Sequence, residues 1–105
     1  MNKSFLVPGQ QVIYKPRHVQ KTTPFKYPDG AQPGFITSGP VRNDDIYFVM
    51  YWQLNENGEP IKDLRTKASS EATFANDILV CDGVNVALPV PQEWVEWAWK
   101  KYRGG

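Results

Sequence analysis

The stretch Ile46-Tyr47-Phe48-Val49-Met50-Tyr51-Trp52 is the longest unbroken apolar and aromatic run in the chain. A run of β-branched and aromatic residues is typical of a strand, and this one is too short for a buried helix. Turn-forming residues bound it, with Gly39-Pro40 before it and Asn55-Glu56-Asn57-Gly58 after it. The run therefore predicts the central strand of a small antiparallel sheet.

Length and composition limit the protein class. The 105 residues fit one domain, and nine prolines with eight glycines favour β structure over a helical bundle. Cys81 is the only cysteine, so no disulfide can form within the chain and a reducing, cytoplasmic compartment is expected. No apolar run approaches the roughly 20 residues that cross a bilayer, so we expect a soluble protein without a membrane partner.

Short segments between turn signals predict four further strands: Gln11–Lys15, Phe35–Ser38, Asp63–Lys67 and Ile78–Cys81. Asn57-Gly58 predicts a hairpin turn because both residues tolerate positive φ. Ala75–Asp77 predicts a turn or one 3₁₀ turn, and Arg17 to Pro33 predicts a long loop because it shows no period. The sequence thus predicts a β unit over residues 9–81 and a linker over residues 82–90.

A helix is predicted from Pro91 to Arg103, because proline suits the first helical position and Gly104 is a stop signal. At about 100° per residue, five apolar residues fall within one arc of about 140°. They are Trp94, Val95, Ala98, Trp99 and Tyr102. Trp94, Val95, Ala98 and Trp99 are expected to pack the helix onto the sheet, where it would close the open end of a barrel.

The order and spacing of four segments resemble an SH3-like barrel of the Tudor or KOW type, with about five strands. The segments are Gly9-x-x-Val12-x-Tyr14, Gly34-Phe35-Ile36-Thr37-Ser38, Phe48-Val49-Met50-Tyr51-Trp52 and Asn76-Asp77-Ile78-Leu79. The chain also resembles small uncharacterised proteins of tailed bacteriophages and prophages. That resemblance is carried by Tyr14-Lys15-Pro16-Arg17-His18, Pro28-Asp29, Gly34 to Ser38, Tyr47 to Trp52, Ser70-Glu71-Ala72-Thr73 and Asn76-Asp77-Ile78. It implies a phage or prophage origin and action in the host cytoplasm, and no particular activity.

Trp97 is the strongest indication of a partner, because it falls outside the apolar arc of the predicted helix. Tryptophan and tyrosine are enriched among the residues that dominate binding energy at interfaces. We therefore expect a host or phage protein to bind Trp97 and Tyr102, together with Phe25 and Tyr27 of the long loop. The alternative is that a barrel rim, the long loop or the N-terminal segment covers Trp97.

Charge is segregated along the chain and favours a second hypothesis, a nucleic-acid-binding module. Residues 1–28 carry +5, residues 29–99 carry −7 and the tail carries +3, for a net charge of +1. The residues expected to contact phosphate are Lys15, Arg17, His18, Lys21, Lys26, Lys100, Lys101 and Arg103, with Phe25 or Tyr27 stacking on bases. The alternative is that the two basic ends only neutralise the acidic middle.

No catalytic motif is found in the sequence. One histidine and one cysteine do not make a Cys/His zinc site, so no metal or cofactor is expected. A Cys81–His18 dyad is a distant third hypothesis, since a cysteine in an apolar strand is more often buried and inert. Asp44-Asp45 is expected to be a solvated turn and not a cation site. The sequence thus predicts a non-catalytic binding module, monomeric or weakly dimeric.

Overall fold

A computed structural model of the chain describes residues 6–15, 31–43, 45–65 and 70–104. The described residues form six strands and one α-helix. The strands are β1 (Gln11–Tyr14), β2 (Gln32–Val41), β3 (Ile46–Leu54), β4 (Pro60–Leu64), β5 (Glu71–Phe74) and β6 (Ile78–Val80). The helix is α1 (Gln92–Trp99), a 3₁₀ turn (Ala75–Asp77) separates β5 from β6, and a π turn (Lys100–Gly104) follows α1. The predicted mostly-β fold with a C-terminal helix is confirmed.

The six strands form one antiparallel sheet with the hydrogen-bonded order β4-β3-β2-β1-β6, and β5 also pairs with β3. The sheet is not closed, so the prediction of a barrel with about five strands was wrong. After β5 has paired with Ile46 to Val49 of β3, the 3₁₀ turn carries the chain to β1, where β6 pairs with Val12 to Tyr14. A turn, and not a ladder of hydrogen bonds, therefore connects β5 to β6.

The central strand β3 packs on both faces, which explains its unbroken apolar run. Successive residues of a strand point to opposite faces, so Tyr47, Val49 and Tyr51 share one face. On that face lies a buried cluster of Val12, Ile36, Tyr47, Val49, Tyr51, Ala75 and Ile78. Met50 and Trp52 point the other way and belong to a second cluster beneath α1.

The helix lies on the Met50 and Trp52 face of the sheet, and the expectation that it would close the end of a barrel was wrong. The buried residues between helix and sheet are Phe35, Met50, Trp52, Leu64, Val90, Val95 and Ala98. The Trp94 ring centre lies 5.9 Å from that of Trp52, and the Trp99 ring centre lies 6.5 Å from that of Phe35. The four predicted packing residues thus do attach α1 to the sheet.

Several predicted boundaries differ from the observed ones by a few residues. Pro91 is the N-cap of α1 and not its first residue. The fourth predicted strand, Asp63–Lys67, is displaced, because β4 ends at Leu64. The strand β2 begins at Gln32, inside the segment predicted as a loop, and β5 was not predicted as a strand.

Two predicted turns are confirmed. The β3–β4 connection turns at Asn57-Gly58, where Gly58 has a φ of 80° that an L side chain rarely adopts. Before β6, Ala75–Asp77 forms the single 3₁₀ turn.

Candidate functional site

Trp97 lies half-buried at the border of α1, in contact with the aromatic cluster beneath the helix. The Nζ atoms of Lys62 and Lys101 lie 5.0 Å and 5.2 Å from the centre of its ring. Tyr102 meets the same indole edge-on with ring centres 6.3 Å apart, and Lys101 Nζ lies 5.4 Å from the Tyr102 ring. We call Lys62, Trp97, Lys101 and Tyr102 the Trp97 surface. Its two ammonium groups lie over aromatic rings that are themselves partly open to solvent.

Local backbone geometry brings the members of the Trp97 surface together. Residues four apart are neighbours on a helix, which places Lys101 beside Trp97. The chain continues past α1 as a π turn, whose repeat spans five residues, so Tyr102 also reaches Trp97. Lys62 comes from β4, which pairs with the end of β3 that lies beneath the helix. Sequence reasoning missed Lys62, because only the β3–β4 register carries it to the helix.

The electrostatics of the Trp97 surface favour an anionic ligand. Neither Lys62 nor Lys101 has a carboxylate partner among the residues that the structure describes. A cation–π contact at an exposed site is worth only about 0.5–1 kcal/mol, and each ammonium group offers three N–H donors. The surface can therefore bind a carboxylate or a phosphate while Trp97 and Tyr102 contact apolar atoms.

A concavity of about 540 Å³ lies between α1 and the turn that precedes β1. It is lined by Pro8, Gly9, Gln92, Val95, Glu96, Trp99 and Lys100. At its N-terminal end, Gln92 Nε2 donates to the Gly9 carbonyl at 3.2 Å and Gln11 Nε2 donates to Gln92 Oε1 at 3.0 Å. These amides fix the start of the helix to β1, and we assign the groove no further chemistry.

A second concavity, of about 300 Å³, lies between β5 and the end of β1. On its wall, the Tyr51 hydroxyl and Thr73 Oγ1 share a 2.7 Å hydrogen bond. Burial raises the pKa of the Tyr51 hydroxyl far above its usual value, so this group stays neutral. The Arg65 guanidinium carbon lies 5.0 Å from the centre of the Tyr51 ring, and Arg65 forms an ion pair with Glu71. We call this space the β5 cavity.

Cys81 is poorly suited to nucleophilic chemistry. Burial, with a smaller contribution from the negative charge of Asp82, raises the pKa of the Cys81 thiol to about 12. The thiol is therefore protonated at neutral pH, whereas a nucleophile needs the thiolate. His18, its predicted partner, lies outside the described residues. Within the described ranges, no group of three or more His, Cys, Asp or Glu residues could hold a metal ion.

Four residues were predicted to bind a protein. The structure places two of them, Trp97 and Tyr102, in contact with each other. Phe25 and Tyr27 lie outside the described residues. Their predicted roles therefore stay predictions.

The residues predicted to contact phosphate lie on different elements. Lys101 belongs to the Trp97 surface, and Lys100 lines the groove beside Pro8. Lys15 follows β1, and its backbone N–H donates to the Asp77 carbonyl at 2.7 Å. Arg17, His18, Lys21 and Lys26 lie outside the described residues, and nothing is described of the Arg103 side chain.

No protein family, curated protein or solved structure matches this chain. Among the described residues, no helix combines the length and the apolar character that crossing a membrane requires.

Proposed function

We propose that this chain is a non-catalytic protein-binding module that holds an acidic segment of a partner protein on the Trp97 surface. The observation that carries the proposal is the pair of ammonium groups, from Lys62 and Lys101, over one half-exposed indole. Neither ammonium group has a carboxylate partner among the described residues. An Asp or Glu of the bound protein would supply the carboxylate for these ammonium groups.

In this proposal the aromatic rings and the charged side chains have different roles. Trp97 and Tyr102 would supply the desolvated aromatic contact that dominates interface energies. Lys62 and Lys101 would steer an acidic segment toward the rings and set its register. Because the ammonium groups already lie over the rings, little side-chain freedom would be lost on binding.

The ordered motifs between Gly9 and Cys81 support a phage or prophage origin for this module, and hence action in the host cytoplasm. A single buried Cys81 thiol suits that reducing compartment. In this proposal the partner is a host or phage protein.

A nucleic acid is the second candidate ligand, favoured by the same pair of ammonium groups, which would also suit phosphate. Against it, the described lysines of the predicted basic set lie on different elements, with Lys15 after β1 and Lys100 and Lys101 after α1.

The test is a fluorescence anisotropy titration with a labelled peptide that alternates Glu with Leu and Tyr. We expect binding that weakens between about 50 mM and about 300 mM NaCl, because exposed charges are screened. Lys62→Gln and Lys101→Gln should each weaken binding about threefold to tenfold, equivalent to roughly 0.6–1.4 kcal/mol. Lys100→Gln is the matched control, because it removes the same charge from the groove side of the helix.

Equal affinities for Lys62→Gln, Lys101→Gln and Lys100→Gln would contradict the proposed site. The same titration with labelled single- and double-stranded oligonucleotides separates the two ligand classes. Salt-sensitive oligonucleotide binding that depends on Lys62 and Lys101, with no peptide binding, would replace the acidic protein by a nucleic acid.

A further inference from the structure

The strand β5 has one edge that no other described strand pairs with. The Ala75 N–H donates to the Asp45 carbonyl at 2.8 Å, which fixes the phase of the β3–β5 ladder. In an antiparallel ladder, residues whose N–H and C=O groups face the partner strand alternate with residues whose groups face away. Thr73 therefore bonds to β3, whereas the N–H and C=O groups of Ala72 and Phe74 point to the open edge.

The open edge of β5 is unprotected. The strand contains no proline or lysine, no register shift interrupts its pairing with β3, and its one charged residue, Glu71, already pairs with Arg65. The neighbouring β4, in contrast, begins with Pro60, which has no N–H to donate, and a register shift interrupts its ladder. Proline and irregular pairing are means by which proteins protect an edge, and an unprotected edge is a template for pairing with another chain.

The exposed side chain of Phe74 ends an apolar row that crosses three strands. Val41 of β2 lies opposite Ile46 of β3, and Ile46 lies opposite Phe74 of β5. Val41 is 40% exposed and Phe74 is 46% exposed, because α1 covers the other half of this face, where Met50 lies. The row thus reaches the open edge with a ring that is nearly half exposed.

We propose that the open edge of β5 pairs with the same edge of a second copy of this chain, antiparallel and about a two-fold axis between the two Thr73 residues. In that register Ala72 of each copy lies opposite Phe74 of the other, and these two pairs exchange four backbone hydrogen bonds. The groups that point to the edge in one copy are then bonded by the same groups of the other. This surface is separate from the Trp97 surface and does not depend on the function proposed above.

The side chains of β5 complement those of an identical strand, which is the reason for naming a second copy as the occupant. The small Ala72 of the second copy lies opposite the Phe74 ring and leaves room for it. Diagonal neighbours in an antiparallel pair are about 7–8 Å apart, within reach of aromatic side chains, so the two Phe74 rings meet across the axis. Glu71 lies opposite Ala75 of the second copy, so no like charges of β5 lie opposite each other.

The contact is small, which predicts a weak dimer. Few residues of β5 take part, and contacts that bury less than about 1,200 Å² are typical of weak and transient complexes. We expect a dissociation constant of about 0.1–1 mM, so that the protein is monomeric when dilute and dimeric when concentrated.

Sedimentation equilibrium over protein concentrations that bracket this value measures the dimer. Phe74→Lys removes the ring and brings two ammonium groups together across the axis, so we expect a dimer that is at least about tenfold weaker. Phe74→Tyr is the matched control, because it keeps the ring, and it should change the dissociation constant less than about twofold. Both variants should fold, since the side chain that they replace is nearly half exposed.

A mixture of Phe74→Lys with Phe74→Glu tests the two-fold axis itself. Each variant alone brings like charges together across the axis, whereas a mixed pair places an ammonium group beside a carboxylate. We expect the mixed dimer to be at least about threefold tighter than the dimer of either variant alone.

A monomer at every concentration would overturn the proposal. So would a dimer that Phe74→Lys leaves unchanged, because another surface would then form it, and so would a mixture no tighter than the single variants. If Phe74→Lys fails to fold, amide exchange of the unmodified protein decides. The Ala72 amide must then become more protected as the protein concentration rises, while the Thr73 amide, already bonded to β3, does not change; an Ala72 amide that ignores concentration would overturn the proposal.

Discussion

Two strands, β4 and β5, border the same side of β3, and their surroundings differ sharply. The β4 half lies beneath α1, where Trp52 is only 1% exposed and Leu64 packs in the same aromatic cluster. The β5 half borders a polar cavity, and its outer edge carries Ala72 and the half-exposed Phe74. The same side of β3 thus has a buried half next to β4, which we call the closed border, and an exposed half next to β5, which we call the open border. The difference comes from the residues of β4 and β5.

The comparison teaches that burial and edge protection coincide in this fold. Where the helix covers the sheet, Pro60 and Asp63 also block the neighbouring edge. Where no helix covers it, β5 contains no proline and no register shift interrupts its pairing with β3. The β4 half therefore contains the buried contacts between helix and sheet, whereas the β5 half keeps an exposed edge.

The largest expected effect is the difference in unfolding free energy between removing an aromatic side chain from the β4 half and removing one from the β5 half. Trp52→Ala should lower the free energy of unfolding by roughly 3–5 kcal/mol, because it leaves a cavity between helix and sheet. Phe74→Ala, its control at the open border, should lower it by less than about 1 kcal/mol, because half of the ring is already exposed. Denaturant unfolding measures both, and equal losses would abolish the distinction between the two borders.

A smaller effect tests the interior of the β5 half. Thr73→Val removes the hydrogen-bond partner of the buried Tyr51 hydroxyl and should lower the free energy of unfolding by roughly 1–3 kcal/mol. Adding Tyr51→Phe to this variant should recover part of the loss, since no buried hydroxyl then remains unpaired. A double-mutant cycle from denaturant unfolding checks this, and strictly additive losses would contradict it.

Cys81, which follows β6 at the other end of the sheet, tests whether that edge also opens in the native protein. Its thiol is buried and its pKa is raised to about 12, so little thiolate forms at pH 8. We expect native protein to react with a thiol reagent only as fast as it unfolds, and denatured protein to react at once. Rapid labelling of the native protein would show that the β6 border also opens.

The smallest expected effect concerns the loop that leads from β6 toward α1. Backbone N–H groups of Val84, Val86 and Asn85 lower the pKa of the Asp82 carboxyl. A lowered folded-state pKa contributes stability above the unfolded value of about 4 and loses it as pH falls through the folded value.

Asp82→Ala should therefore lower the melting temperature slightly at pH 7 and converge with the unmodified protein at acid pH. Asn76→Ala, at another exposed residue, is the control. A deficit that persists unchanged at pH 2 would show that the carboxylate charge is not the cause.

The sequence alone was sufficient to predict the elements that have a strong local pattern. The run Ile46 to Trp52 was predicted as the central strand because both faces of β3 are apolar, and the helix was predicted from its apolar arc. Gly34 was noted only as part of a motif. The structure gives the reason, since a Cβ there would lie 2.4 Å from the Met50 carbonyl oxygen.

The remaining features depend on long-range register, which local patterns do not encode. The strand β5 was missed because Glu71-Ala72-Thr73-Phe74 is short and only half apolar, and its partner is set by β3. The sheet was expected to close because the order and spacing of its segments resemble an SH3-like barrel. Strand pairing, which no local pattern encodes, gives an open sheet instead. Lys62 was missed at the Trp97 surface for the same reason.

The contrast between the two borders is tested most directly by amide hydrogen exchange, measured residue by residue in the free protein. We predict that the Ala72 and Phe74 amides exchange at least roughly a hundredfold faster than the Thr73 amide, because only Thr73 faces β3. The Leu64 amide, bonded to Asp63, should also exchange more slowly than that of Ala72. Protection of the Ala72 amide equal to that of the Thr73 amide would contradict the open edge of β5.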